Sequence, residues 1–319
     1  MSHLSPRWPA GYRSRPTTNA DVAEIHRLVA TCEQELYGRA ETGLDGIAAD
    51  LARAGLDPAT DTLLVYDPAG ELAGRAWVNR RSEVDVHPDH RGRGLGSSLV
   101  AWVEARAREV GGERVVQTVS DSDRAAGALL RSRGYEPLVT AWLLEIAMPG
   151  EPVVRRPPEG ITVRPFRSGD ERAAYQLVED AFDEWQERRK SYEEWARHTV
   201  ERSSFAPALS PLAFEGDELV GAVLSLDLPG TDDGYIERVA VRRDHRNRGI
   251  ARLLLRHAFR AFYRQGRRTC TLWTHSDTGA LALYERVGMT VRRSSTVYSK
   301  ALSTVPDRRG SSQSSSQSR

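Results

Sequence analysis

Two hydrophobic periods alternate along the chain. Apolar residues at every second position, or in short runs bounded by Gly, Pro or Asp, predict strands; spacings of three and four predict amphipathic helices. Strand patterns fall at Thr62–Tyr66, Glu71–Val78 and Glu83–Val86. A helix over Leu95–Val110, a strand over Arg114–Val119 and a helix over Ala125–Arg133 follow. The same succession then returns. Leu212–Glu215 and Glu218–Ser225 flank the turn Gly216-Asp217, which predicts a hairpin, and Tyr235–Val241 reads as a further strand. Ile250, Leu253, Leu254, His257, Ala258, Ala261 and Phe262 share one stripe of a helix ending near Gln265. Arg267–Thr274 is strand-like, Gly279–Arg286 helical, and Thr296–Lys300 a closing strand.

The repetition extends to the residues. Tyr12–Val29 (YRSRPTTNADVAEIHRLV) parallels Ile161–Val178 (ITVRPFRSGDERAAYQLV). Glu71-Leu72-Ala73-Gly74 parallels Glu218-Leu219-Val220-Gly221, and His90–Gly96 (HRGRGLG) parallels His245–Ala251 (HRNRGIA). Arg131–Tyr135 (RSRGY) parallels Glu285–Met289 (ERVGM). All four pairs keep one order at spacings of roughly 150 residues, which indicates a duplicated module. The expected organisation is an N-terminal domain over 1–150, a breaker-rich linker over 151–160, a C-terminal domain over 161–302, and a disordered tail over 303–319. The predicted fold class is α/β, an α+β sandwich. Each domain has a mixed, mostly antiparallel central sheet flanked by helices.

Composition narrows the function. With 319 residues and 39% hydrophobic positions, the chain can bury two cores. Forty-five basic residues face 44 acidic ones for a net charge of +1, so no whole-protein field favours nucleic acid or an anionic membrane. No apolar run reaches membrane-spanning length, and Met1–Pro9 lacks an apolar signal core, which argues for the cytoplasm. Cys32 and Cys270 are too few for a disulfide framework or a zinc cluster and are expected to be buried. His87 and His90 flank Pro88-Asp89 with no third ligand nearby, so no metal site is expected.

The chemistry concentrates at a turn. Val239-Ala240-Val241 leads through Arg242–His245 to Arg246-Asn247-Arg248-Gly249-Ile250-Ala251 and into a helix. Small residues at Gly249 and Ala251 let a ligand approach the backbone. The helix start offers unpaired amides and a positive dipole end, which suits a pyrophosphate; Arg246 and Arg248 add charge. The first copy repeats the arrangement with Val84, Val86, Arg91, Gly92, Arg93, Gly94, Leu95 and Gly96. The pattern is neither GxGxxG nor GxxxxGK[ST], which disfavours a Rossmann domain or a P-loop.

At these residues the chain resembles the GNAT N-acetyltransferase superfamily, whose acyl-CoA pyrophosphate loop is an Arg-x-x-Gly-x-Gly/Ala turn after a strand. Tyr284-Glu-Arg-Val-Gly288-Met289 is similar to the family's late Tyr-x-x-x-Gly-Phe element. The two-copy arrangement is similar to actinobacterial tandem GNAT proteins of the mycothiol-synthase type. The resemblance implies that the strand before the loop splays from its neighbour, and that acyl-pantetheine inserts beside Val239, Ala240 and Val241, or beside Val84 and Val86. It implies that Tyr284 protonates the leaving thiolate and that Glu237 binds the amine or deprotonates it through water. Period-two counting puts Tyr235 and Glu237 on one face with Val239 and Val241. In the first copy Tyr284 aligns with Leu130, and Glu83 and Asp85 fall on the opposite face. Relatives often carry Asn before the last helix, so Ser276 or Asp277 is expected to make that contact to CoA here.

The expected function is acetyl transfer from acetyl-CoA to a primary amine of a small molecule, catalysed in the second copy by a monomer or homodimer. Acetylation of a cysteinyl amine, or of an antibiotic or protein amine, is the alternative within enzymes. A non-catalytic acyl-CoA-binding regulator and an aminoacyl-tRNA-dependent peptidyl transferase are the other classes. Trp185, Tyr192 and Trp195 lie where relatives shape the acceptor pocket, or belong to an ordinary amphipathic helix; His257 is expected in the core.

Overall fold

The computed structural model describes residues 7–53, 55–79, 81–184, 188–228 and 232–302. The 303–319 tail and Trp185 lie outside the described residues. The first part of the chain runs β1 (Arg13–Arg15), α1 (Val22–Tyr37), α2 (Leu44–Leu51), α3 (Pro58–Asp61), β2 (Thr62–Tyr66), β3 (Leu72–Trp77), β4 (Glu83–Val86), α4 (Leu95–Glu109), β5 (Arg114–Ser120) and α5 (Arg124–Ser132). It continues as β6 (Glu136–Ala147), β7 (Ile161–Pro165), α6 (Glu171–Phe182), α7 (Tyr192–His198), β8 (Pro211–Glu215), β9 (Glu218–Leu226), β10 (Asp233–Val241), α8 (Ile250–Arg264), β11 (Thr269–His275), α9 (Leu281–Arg286) and β12 (Thr290–Ala301). The class is mixed α/β, and the strands and helices read from periodicity sit within one to two residues of their expected ends, except that β12 begins at Thr290, six residues before the expected Thr296. Among the described residues no helix is long and apolar enough to cross a membrane.

Two compact units divide the chain: Met1–Leu138 with Ser295–Arg319, and Val139–Ser294. In the first, β1, β2, β3 and β4 pair antiparallel in that order. The apolar stripe of α4 (Leu95, Leu99, Val103) packs with Val65 and Ala76, while α1 and α2 bring Ile25, Leu28 and Ile47 against Leu64 and Leu72. In the second, β7, β8, β9 and β10 pair antiparallel, β10 pairs with β11 parallel, and β11 pairs with β6 antiparallel. There α8 buries Leu254, Phe259 and Phe262 against Val220, Val223 and Ile236. The opposite face packs Leu177, Val178 and Trp195 of α6 and α7 against Leu212, Leu224 and Ala240.

The units differ from the boundaries at 150 and 161 expected from the breakers. Val139–Ala147, counted with the first domain, belongs to the second unit, where Ala141 lies opposite His275 and Ala147 opposite Thr269. Ser295–Ala301, counted with the second domain, closes the first unit, with Ser295 opposite Ser120 and Ala301 opposite Arg114. The physical reason is the duplication. β5 and β11 are equivalent receptive edges, and local alternation suits a closing strand to either. Glu151–Pro158 forms neither helix nor strand.

Candidate active site

In the second unit β10 parts from β11. The two pair only from Asp233 opposite Thr269 to Ile236 opposite Leu272. Just beyond, the β9–β10 register shifts between Ile236 and Arg238, leaving Glu237 in a bulge. A bulge inserts one unpaired residue and bends its strand. Arg238–Val241 then keep β9 as their ladder partner. The opening is a cleft of about 540 Å³, lined by Glu237–Val241, the loop and first turn leading into α8, the end of β11, and α9.

The bulge corrects the period-two face assignment. Ile236 packs with the α8 core and Ala240 with the α6 core, although they are four residues apart; Val239 and Val241 pack on the α8 side with Ile236. The inserted residue reverses the alternation, so Tyr235 does not share the face of Val239 and Val241. Glu237 lines the cleft nonetheless. In the first unit, the Glu83 and Asp85 carboxylates clasp Arg75, at 3.2 Å to Nη2 and 2.6 Å to Nε.

The loop holds Asn247 at φ 64° and Gly249 at φ 82°. Glycine takes this left-handed geometry freely, and Asn tolerates it better than most side chains. Together with the unpaired first-turn amides of α8, the turn forms an anion-binding concavity. A Cβ built on Gly249 would meet only Arg252 Nη2, at 3.7 Å, so the space before the loop is open. A pyrophosphate fits these groups. The first unit reproduces the turn with Gly92 at φ 72° and Gly94 at φ 84°, and Leu95 is buried just after it. There Arg91 pairs with Glu35 at 2.5 Å, and the Cys32 thiol donates to the Val86 carbonyl at 3.5 Å.

The arginines separate in role. Arg246 lines the cleft with its guanidinium on the carbonyls of Val241 (3.4 Å) and Ala181 (3.3 Å). Arg248 does not line it and donates to Glu215 at 2.8 Å. Arg252, which the sequence reading missed, lines the cleft without a hydrogen-bond or ion-pair partner among the described residues. Its spacing was the available signal, since three residues past Gly249 on a helix returns to the same face. Thr274 and Thr278 line the cleft where Ser276 or Asp277 was expected; neither of those does, and Ser276 accepts from the Thr140 amide at 3.3 Å.

His245 is buried beneath the loop. Its Nδ1 faces Asp244 at 2.7 Å and its Nε2 faces Glu215 at 2.9 Å. Hydrogen bonds to Asp244 and then Glu215 raise its pKa above the usual 6.5. A raised folded-state pKa contributes stability that is complete below the unfolded value and is lost as pH climbs through the folded value. The melting-temperature gap between wild type and His245→Asn is therefore expected to narrow as pH rises above 6.5, read by calorimetry across a pH series. A gap constant with pH would refute a charged His245.

Tyr284 lines the cleft from α9, 7% exposed, and its hydroxyl makes no hydrogen bond among the described residues. Burial pushes the phenol up to about 12, so it stays protonated at neutral pH. Leu130, its counterpart, is packed in the first unit's core. Leu130→Ala is expected to cost about 2–5 kcal/mol of stability through the cavity it leaves. Denaturant unfolding measures this, and turnover per folded molecule should not change.

Cys32 and Cys270 are buried, with the Cys32 thiol pushed up to about 12 by burial. Trp195 is a core residue against Tyr175, with Tyr192 at the rim of that cluster. His257, expected in the core, is instead half-buried on α8 and does not line the cleft. His90 Nδ1 pairs with the Tyr12 hydroxyl at 2.8 Å.

Comparison with known proteins gives the family. The acetyltransferase (GNAT) family model matches twice, over residues 22–135 and 172–289. The chain is 27% identical over 314 residues to a mycothiol acetyltransferase of Catenulispora acidiphila, covering 89% of this chain and 96% of that protein. It is 31% identical over 228 residues to the mycothiol acetyltransferase of Geodermatophilus obscurus, covering 68% and 72%. A GCN5-related N-acetyltransferase of Sphaerobacter thermophilus superposes with TM-score 0.81 at 32% identity, over 93% of this chain and 97% of that one. A tandem GNAT protein from the clavulanic acid pathway shares the fold, with TM-score 0.71 at 17% identity over 92% and 99%. The chain belongs to the GNAT acetyltransferase family, acyltransferases that use acetyl-CoA, and carries the family's domain twice.

Proposed function

We propose that this protein transfers acetyl from acetyl-CoA to a primary amine of a small molecule, and that the second copy does the chemistry. The observation that carries the reading is Tyr284: a buried, protonated hydroxyl without a partner among the described residues, at the cleft opened by the β10–β11 splay. The pyrophosphate sits on the Arg246–Ala251 turn, with Arg252 as an added counter-charge. Acyl-pantetheine runs along Val239–Val241 as an extra strand. Glu237 holds the ammonium and passes one proton to water. The freed amine attacks the thioester carbonyl, the C–S bond breaks as Tyr284 protonates the departing thiolate, and the second amine proton, shed to water as the amide forms, is matched by a proton returned to the Tyr284 phenolate. The products are an N-acetyl amide and CoA.

The first copy keeps the turn through Val84, Val86 and Arg91–Gly96, but it has Leu130 in place of the acid. It serves as a partner domain, with catalysis confined to the second. A second reading, favoured by the relatives named mycothiol acetyltransferase, makes a cysteinyl amine the acceptor. An acetyl-CoA turnover screen across amine classes, reading free thiol and product mass, tests both. Thiol release without any acetylated amine would overturn them.

A further inference from the structure

Glu237 is already occupied. Arg202, on the stretch between α7 and β8, sets its Nη1 against both Glu237 oxygens, at 3.2 and 3.4 Å. A guanidinium has five donors in a planar fork. Nε and Nη2 of Arg202 have no partner among the described residues, and its side chain is 38% exposed. Arg238 stands beside it, with Nη1 on the Glu237 carbonyl at 2.9 Å and its guanidinium over the Phe182 ring. Glu237 and Arg238 line the cleft, and Arg202 meets it at Glu237 from just outside that lining. Among the described residues lining the cleft, Glu237 is the one carboxylate.

This arrangement constrains what can enter. A simple alkylammonium must take Glu237 from Arg202 and would leave that guanidinium unpaired beside a second cation. Like charges at such a distance disfavour each other. An acceptor carrying its own anion next to the amine avoids the conflict. Its ammonium pairs with Glu237 while its anion takes the free Nε and Nη2 fork of Arg202, so one ion pair becomes two. Arginine suits the role because its fork matches the oxygens of a carboxylate or a phosphate.

We propose that the acceptor is a small amine bearing an adjacent anionic group, and that Arg202 is the specificity-determining residue that binds it. This rests on the reading of the cleft as an amine acetylation site. The test uses the full chain with saturating acetyl-CoA and matched acceptors: L-amino acids against their own carboxamides, and O-phosphoethanolamine against ethanolamine. Product mass is the readout. The carboxamide amine loses its proton more readily, so chemistry alone favours the neutral member. The expected result is a preference of about ten- to a hundredfold in kcat/KM for the anionic member, carried by KM. That is the size of one charged hydrogen-bonded contact.

The two pairs separate a carboxylate from a phosphate as the anion. Arg202→Gln should erase the preference while leaving the KM for acetyl-CoA unchanged, and Arg202→Lys should restore part of it. A purely structural role would lower both members alike. Neutral members acetylated as well as anionic ones, or a preference that survives Arg202→Gln, would overturn the proposal and leave the acetyltransferase reading intact. Acetylation of neither set would overturn both. Should Arg202→Gln fail to fold, the wild-type ratio and Arg202→Lys decide the matter.

Discussion

Tyr284→Phe is expected to lower turnover by about 10²–10⁴-fold while leaving acetyl-CoA affinity and melting temperature nearly unchanged. The substitution removes one oxygen and keeps the ring that packs in the α8 core. That oxygen has no protein hydrogen bond to lose among the described residues, so folding has little stake in it. In the proposed mechanism the thiolate leaving group does, because without a proton donor it must depart as an anion. Burial holds the phenol at about 12, so the proton is present throughout the working pH range. Steady-state kinetics with calorimetric titration of acetyl-CoA separates the two effects. Full turnover in the Phe variant would move the chemistry away from Tyr284.

Gly249→Asp is expected to weaken acetyl-CoA binding by at least about a hundredfold relative to Gly249→Asn. Both residues tolerate a positive φ better than most, and both place their Cβ in the same open space before the loop. They differ by one negative charge at the position assigned to pyrophosphate. Two unit charges about 4 Å apart at an effective dielectric of about 20 interact by about 4 kcal/mol, and solvent screening reduces that. Calorimetric titration of both variants reads the difference. Equal affinities would remove pyrophosphate from this loop. The same pair at Gly94 reports on the first copy. If Gly94→Asp abolishes turnover without unfolding the protein while Gly249→Asp does not, the working copy is the first.

Much of the cleft was legible in the chain because its chemistry is local. A strand, a turn with Gly or Asn at left-handed positions, and a helix start are set by neighbours a few residues apart. The geometry brings together Glu237, Val239, Ala240, Val241, Arg246, Asn247, Gly249, Ile250, Ala251 and Tyr284, as the motif implied. Arg248 fell outside because Glu215, thirty-three residues earlier, draws its guanidinium away from the cleft. Thr274 and Thr278 line the cleft and Ser276 and Asp277 do not, since the side-chain directions at the end of β11 depend on how that strand enters α9.

By itself the sequence determined the duplication, the succession of elements from β2 to α5 and from β8 to β12, and the residues of the turn, because each is written in spacing and repeated residues; the strands β1, β6 and β7 went unread. The tertiary structure decided three further things. It decided which closing strand serves which unit, since two equivalent edges accept either strand and only the folded chain chooses. It decided the faces of β10, because a single-residue bulge at Glu237 reverses the parity that alternation assumes. And it decided the partner of Glu237, because Arg202 reaches it from thirty-five residues away, a distance at which no periodic pattern carries information.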